Sequence, residues 1–113
     1  MKSANYEFIQ FPAFSKQLDL VNEPDLLTVI EDELKNNPEA GALLKGGIRK
    51  VRIPARGRSG GKRGGFRVWH YFYTQGDRIF LLYLLDKREA QNISKSQEAF
   101  LVAALKTALN HLT

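Results

Sequence analysis

Seven consecutive apolar residues, Ile79 to Leu85 (IFLLYLL), form an uninterrupted apolar run that no other in this 113-residue chain exceeds. A run of that length is far shorter than the roughly 20 residues a helix needs to cross a bilayer. Read as a strand it is apolar on both faces, so it belongs in the interior of a sheet covered on each side. The rest of the chain has to supply that cover. Hydrophobic residues make up 43% and aromatics 11%, which is enough for one core and excludes wholesale disorder. The length allows a single domain, residues 1–113. The chain has no cysteine, so disulfides and thiolate chemistry are excluded and a structural zinc site is disfavoured. The N-terminus (MKSANYEFIQ) lacks the charged-then-apolar order of a signal peptide. The expectation is a soluble protein of a reducing cytoplasm, without a membrane partner.

Periodicity places the other elements. Tyr6–Phe11 alternates as a short first strand, and Pro12 ends it. Phe14, Leu18 and Val21 then recur at helical spacing. Asn22 reads as the N-cap of a second helix, with Pro24 in its first turn and Leu26, Leu27, Ile30 and Leu34 on one face. Asn36-Asn37-Pro38 stops it. Gly46-Gly47 opens a strand over Ile48–Ile53, and 54–65 reads as a glycine-and-arginine loop. Phe66–Thr74 and Arg78–Leu85 pair through a turn at Gln75-Gly76-Asp77. Ser94 and Gln97 form a capping-box pair opening a last helix to Leu112. Its stripe of Phe100, Leu101, Ala104, Leu105, Ala108, Leu109 and Leu112 is two residues wide. The predicted class is α+β: a small antiparallel-rich sheet with two N-terminal helices and a C-terminal helix.

The net charge of +5 is unevenly placed. Residues 45–68 hold nine basic side chains, no acidic one, and seven of the nine glycines. The preceding 44 residues carry three basic and eight acidic ones. A glycine-rich cationic block suits a polyanion, because glycine lets backbone approach phosphates while Lys and Arg neutralise them; a solvated loop is the plainer reading. Familiar nucleotide sites fail. Arg56 and Arg63 stand where a Walker loop needs Gly and Ser/Thr, and no G-x-G spacing supports a dinucleotide fingerprint. His70 and His111 are too isolated for a metal site, and no elbow presents a nucleophilic Ser. No cofactor is expected.

Alternation in 66–74 points Arg67, Trp69, Tyr71 and Tyr73 one way and Phe66, Val68, His70 and Phe72 the other. In the neighbouring strand, Lys50 and Arg52 share a face, forming a cationic row that Arg67 could join across the sheet. Edge-strand charges that block aggregation are the plainer account. His70 reads as a core histidine. Trp69 and the tyrosines serve sheet packing and base stacking equally well. Lys87 and Arg88 follow the last strand, where a sheet can present them to a groove.

From Leu44 to Ser94 the chain resembles the RelE superfamily of toxins from bacterial toxin–antitoxin pairs, closest to its HigB-type branch. The matching pieces are Gly46-Gly47-Ile48-Arg49-Lys50-Val51-Arg52, then Ser59-Gly60-Gly61-Lys62-Arg63-Gly64-Gly65-Phe66-Arg67, then Leu85-Asp86-Lys87-Arg88-Glu89. Asn92-Ile93-Ser94 opens the final helix in the corresponding manner. The resemblance implies the same α+β fold and ribosome-dependent, metal-free cleavage of mRNA in the A site. The implied partners are a cognate antitoxin that blocks the toxin, the ribosome, and operator DNA reached only through the antitoxin complex. It implies catalytic roles for Lys50, Arg52, Arg67, Lys87 and Arg88. Arg49, Arg56, Arg58, Lys62 and Arg63 would grip RNA without taking part in the chemistry. Attack of a 2′-OH on the adjacent phosphate needs a base, cations for the phosphorane, and a proton for the leaving 5′-oxygen. A lysine among arginines releases its proton more readily, so Lys50 or Lys87 is a conceivable base. The alternatives are a non-enzymatic inhibitor on this fold, as in the gyrase-poisoning ParE branch, and a plain nucleic-acid-binding domain.

Overall fold

The computed structural model describes residues 5–55 and 65–112. In chain order the elements are β1 (Glu7–Gln10), α1 (Pro12–Val21), α2 (Leu26–Asn36), β2 (Ala42–Leu43), a 3-10 turn over Lys45–Gly47, β3 (Arg49–Ile53), β4 (Phe66–Tyr73), β5 (Arg78–Asp86) and α3 (Lys95–Leu112). The strands make one sheet in the order β1-β5-β4-β3-β2. Only β1, paired with β5, runs parallel to its neighbour; the other pairings are antiparallel. The fold is α+β, as expected, with the apolar run enclosed between β1 and β4. Every residue of β5 after Arg78 is buried. Among the described residues no helix is long and apolar enough to cross a membrane.

One irregularity in β5 decides what each face carries. Trp69 stands opposite Tyr83 and His70 opposite Leu81, which leaves Leu82 as an extra residue, a β-bulge. The extra residue reverses the alternation. Before it, Ile79 and Leu81 face the cluster built by Phe14 of α1 and Leu26, Ile30 and Leu34 of α2. After it, Leu84 takes that direction, while Tyr83 and Leu85 join Phe80 and Leu82 on the side of Leu101 and Leu105 from α3. Each fully buried Leu, Ile or Phe contributes roughly 1.5–3 kcal/mol, so both faces of β5 act as core.

Three local expectations are corrected. Asn22 does not open α2. It sits in the left-handed region (φ 55°) and closes α1, its N–H donating to the Leu18 carbonyl at 3.2 Å, a conformation asparagine tolerates better than most residues. The second helix starts at Leu26, after Asp25. Gly46-Gly47 lie in the 3-10 turn ahead of β3, which starts at Arg49 rather than at Ile48. The two-residue-wide stripe of α3 is only half used: Leu101 and Leu105 are buried, whereas Phe100 is 62% exposed. The Ser94 cap holds, with its Oγ accepting the Gln97 N–H at 3.1 Å. Of the loop expected over 54–65, residues 56–64 lie outside the described residues.

His70 is fully buried on the α1/α2 side of β4. Its Nε2–H donates to the Ala40 carbonyl at 2.8 Å, and Nδ1 has no partner among the described residues. Burial lowers its pKa from 6.5 to about 4; the Ala40 bond opposes the shift and the Arg49 charge adds to it. A lowered pKa means that the unfolded chain takes the proton first. The stabilisation is therefore complete above pH 6.5 and is lost as pH falls toward 4, a loss of about 3 kcal/mol. Urea denaturation across this range should show His70→Gln, whose amide can still donate to Ala40, with a flatter loss of stability on acidification than the wild type. Equal slopes would show that His70 is not the group responsible.

Candidate active site

The face of the sheet opposite α1 and α2 gathers the cations. Arg52 of β3 stands directly opposite Arg67 of β4, and Arg67 opposite Leu85 of β5; one step along, Lys50 faces Trp69, which faces Tyr83. The alternation that put Lys50, Arg52 and Arg67 together is thus the observed geometry. The Lys50 ammonium lies 5.9 Å from the Trp69 ring centroid, where the indole face attracts a cation. Trp69 itself is buried, packed edge-on against Tyr83 at 5.9 Å between centroids.

Lys87 completes the cluster through its backbone. Its N–H donates to the Gly65 carbonyl at 3.1 Å, which ties the turn after β5 to the entrance of β4 beside Arg67. Gly65 is needed there, because a Cβ at that position would collide with the Ile53 carbonyl oxygen. The Lys87 ammonium donates to the Gln91 backbone carbonyl at 3.3 Å and to its Oε1 at 3.0 Å. Arg52, Arg67, Lys87 and Gln91 line a cleft of about 300 Å³.

No carboxylate among the described residues pairs with Lys50, Arg52, Arg67 or Lys87; the ion pairs join Arg78 to Glu7 and Arg88 to Asp86. The charges therefore act on each other. Desolvation, then the charges of Arg67, Arg52 and Lys50, lower the Lys87 pKa from its ordinary value. Desolvation and the Arg52 charge lower that of Arg67. The Arg67 Nε–H and the Trp69 indole N–H are buried and meet no acceptor among the described residues. Buried donors are nearly always satisfied, so these two are open to an acceptor that the described residues do not supply.

Two sequence candidates are not brought to this cluster. Arg88 turns back onto Asp86: its backbone N–H (2.9 Å) and Nε–H (3.4 Å) reach Oδ1, and Nη2 reaches Oδ2 at 3.0 Å. Arg49 lies on the other face, with Nη1 donating to the Gly41 carbonyl at 3.3 Å. Arg56, Arg58, Lys62 and Arg63 lie outside the described residues. Gln91, which holds Lys87, carried no signal in the sequence, since a glutamine in a turn is unremarkable. Among the described residues no three His, Asp or Glu side chains come together to hold a metal.

Comparison with known proteins converges on one family. A family model described as the RelE toxin of the RelE/RelB toxin–antitoxin system matches residues 7–112. The fold is similar to that of the free E. coli toxin RelE carrying two arginine-to-alanine substitutions, with a TM-score of 0.54 at 15% identity. That match covers 78% of this chain and 90% of the other.

Directly opposed like charges on a sheet oppose folding. Arg52→Gln should therefore stabilise the protein by about 0.2–1 kcal/mol at low salt, with the gain shrinking as salt screens the pair. Thermal melts at two ionic strengths read this; a destabilised variant would mean that Arg52 is paired rather than repelled.

Proposed function

The chain belongs to the RelE toxin family of RelE/RelB toxin–antitoxin systems, and we propose that it is a ribosome-dependent endoribonuclease that cleaves mRNA through its carboxylate-free cationic cleft. The observation that carries this reading is the opposed pair Arg52–Arg67, with a buried Arg67 Nε–H that meets no acceptor among the described residues and Lys87 at its side. Folding alone gives no reason to assemble such a group. A phosphodiester gives one, because its charge grows toward a phosphorane during cleavage.

In the proposed mechanism the unprotonated Lys87 amine takes the proton of a ribose 2′-OH. The 2′-oxygen bonds to the adjacent phosphorus, the bond from phosphorus to the 5′-oxygen breaks, and the products are a 2′,3′-cyclic phosphate and a 5′-hydroxyl. Arg67 and Arg52 hold the non-bridging oxygens, for which planar guanidinium forks are suited. Lys50, seated over Trp69, supplies the proton to the departing 5′-oxygen. Gln91 fixes Lys87 in the cleft. Arg88, engaged with Asp86, flanks the reaction rather than joining it. Residues 59–65 favour the HigB-type branch within the family. The family implies an antitoxin partner; we extend this to a cytoplasmic toxin that meets mRNA in the ribosomal A site and operator DNA only within the antitoxin complex.

Wild type and Arg67→Ala induced in cells lacking antitoxin, with messenger 5′ ends mapped, test the activity. Codon-phased cuts should appear with the wild type, and the substitution should slow cleavage on the order of a hundredfold to a thousandfold. Growth arrest with intact messages would overturn the reading in favour of a non-enzymatic inhibitor.

The base has its own test. If neutral Lys87 is required, the single-turnover rate rises with pH through its lowered pKa. Arg52→Gln removes one of the charges that lower it, so the rising limb should move to higher pH. An unmoved limb, or one displaced to lower pH, would remove Lys87 from that role.

A further inference from the structure

A cavity of about 440 Å³ lies beside the cationic cleft and takes no part in the chemistry above. It exists because the sheet is incomplete there. The parallel pairing of β1 ends at Gln10, opposite Leu81, so beyond that point β5 has a strand on one side only. Helix α1 passes this open edge, leaving a cavity between its Gln17 and Leu20 and the end of β5. Arg52, Arg67 and Leu85 lie in register across three strands, and Leu85 also borders the cavity. Neighbouring strands are about 4.8 Å apart, so the cavity opens roughly two strand spacings from Arg67. That is within reach of a nucleotide whose phosphate Arg67 holds.

The lining combines apolar walls with polar groups in a fixed arrangement. Leu20, 68% exposed, stands on the rim. The Gln17 Nε2–H donates to the Tyr83 hydroxyl at 3.0 Å, which leaves the Gln17 Oε1 as an acceptor and the Tyr83 O–H as a donor. Arg88 uses Nε and Nη2 on Asp86, and that fork leaves its Nη1 group turned away from the carboxylate. The exposed Glu89 is held at the rim by its backbone N–H, which donates to the Asp86 carbonyl at 2.8 Å. The cavity thus offers two donors and two acceptors, with the Glu89 carboxylate able to take two parallel N–H groups.

We propose that this cavity is a guanine subsite for the RNA whose phosphate occupies the Arg52–Arg67–Lys87 cleft, an inference that rests on the ribonuclease reading. Guanine places two N–H groups, N1–H and N2–H, side by side on one edge, matching the two oxygens of the Glu89 carboxylate. Its O6 and N7 acceptors suit Arg88 and the Tyr83 hydroxyl. Adenine and cytosine offer one amino group beside a bare ring nitrogen, and uracil a single N–H, so each leaves the carboxylate half met. The ring plane rests against Leu20.

The test is binding of the four nucleoside 3′-monophosphates to the intact toxin, followed by NMR at the Gln17 side-chain amide and the Tyr83 backbone amide. All four carry the same phosphate, so contact with the cationic cleft is common to them and only the base differs. Guanosine 3′-monophosphate should bind at least fivefold more tightly than the others and shift both reporters. Glu89→Gln and Tyr83→Phe should each reduce that preference, and the surface position of Glu89 keeps the first variant folded. Equal binding of the four, a preference for another base, or shifts that leave Gln17 and Tyr83 untouched would overturn the proposal. The measurement needs no cleavage, so a toxin that leaves messages intact but selects guanine would sink only the ribonuclease reading. Phased cuts without base selection would sink only this one.

Discussion

The structure depends on β5 being covered on both faces while carrying one residue too many for its partner. Without the bulge at Leu82, strict alternation would send Tyr83 and Leu85 toward α1 and α2, and Leu84 and Asp86 toward the cationic face. A carboxylate would then share a face with Arg67, diagonal to it across the strand pair, where it would offset the positive charge of the site. The bulge avoids this. Leu85 follows Arg67 and Arg52 across the sheet, Tyr83 lies under Trp69, and Asp86 is left to engage Arg88. A packing irregularity in the most hydrophobic strand thereby sets the electrostatics of the site.

Holding like charges together requires fold energy from elsewhere, and its sources are visible. The fully buried Phe66, Val68 and Leu84 fix the backbone from which Arg67 projects. The Trp69 face attracts the Lys50 ammonium, and the Gly65 carbonyl pins the backbone of Lys87. None of these contacts supplies a counter-charge. Among the described residues the arrangement is held through its backbone and its side chains meet no carboxylate. The opposite face of β4 shows the contrast. There, His70 is buried and bonded to Ala40, and its lowered pKa is a consequence of packing.

Much of this was legible in the sequence because it depends on periodicity. The alternation of 66–74 separated Arg67 and Trp69 from His70 without knowledge of any contact, and the period of two placed Lys50 with Arg52. What escaped was where local geometry breaks the period. A bulge inside IFLLYLL is silent, since every residue of the run is apolar and either direction looks equally well packed. Strand β2 is only two residues long, too short for any pattern. Asn22 suits a helix N-cap and a left-handed helix end alike, and only the chain's path chooses between them. Lys87 and Arg88 looked equivalent as adjacent cations after a strand. The turn hydrogen bonds separate them, sending one into the cleft and the other onto Asp86.

The acidic N-terminal third acquires a meaning once the layers are known. Glu31, Asp32 and Glu33 belong to α2, whose Leu26, Ile30 and Leu34 pack on the face of the sheet away from Lys50, Arg52 and Arg67. The sheet and its core therefore separate the acidic helix from the cationic face. At physiological salt, charges more than about 8 Å apart in solvent are largely screened, so α2 does little to neutralise that face. Its effect is on approach: the acidic run of α2 repels a polyanion from its own side of the sheet and leaves the cationic face the more favourable one. The modest net charge of +5 thus conceals a direction: among the described residues, the acidic run of α2 and the Lys50–Arg52–Arg67 group lie on opposite faces of the sheet, kept apart by the buried strand β5 and its neighbours.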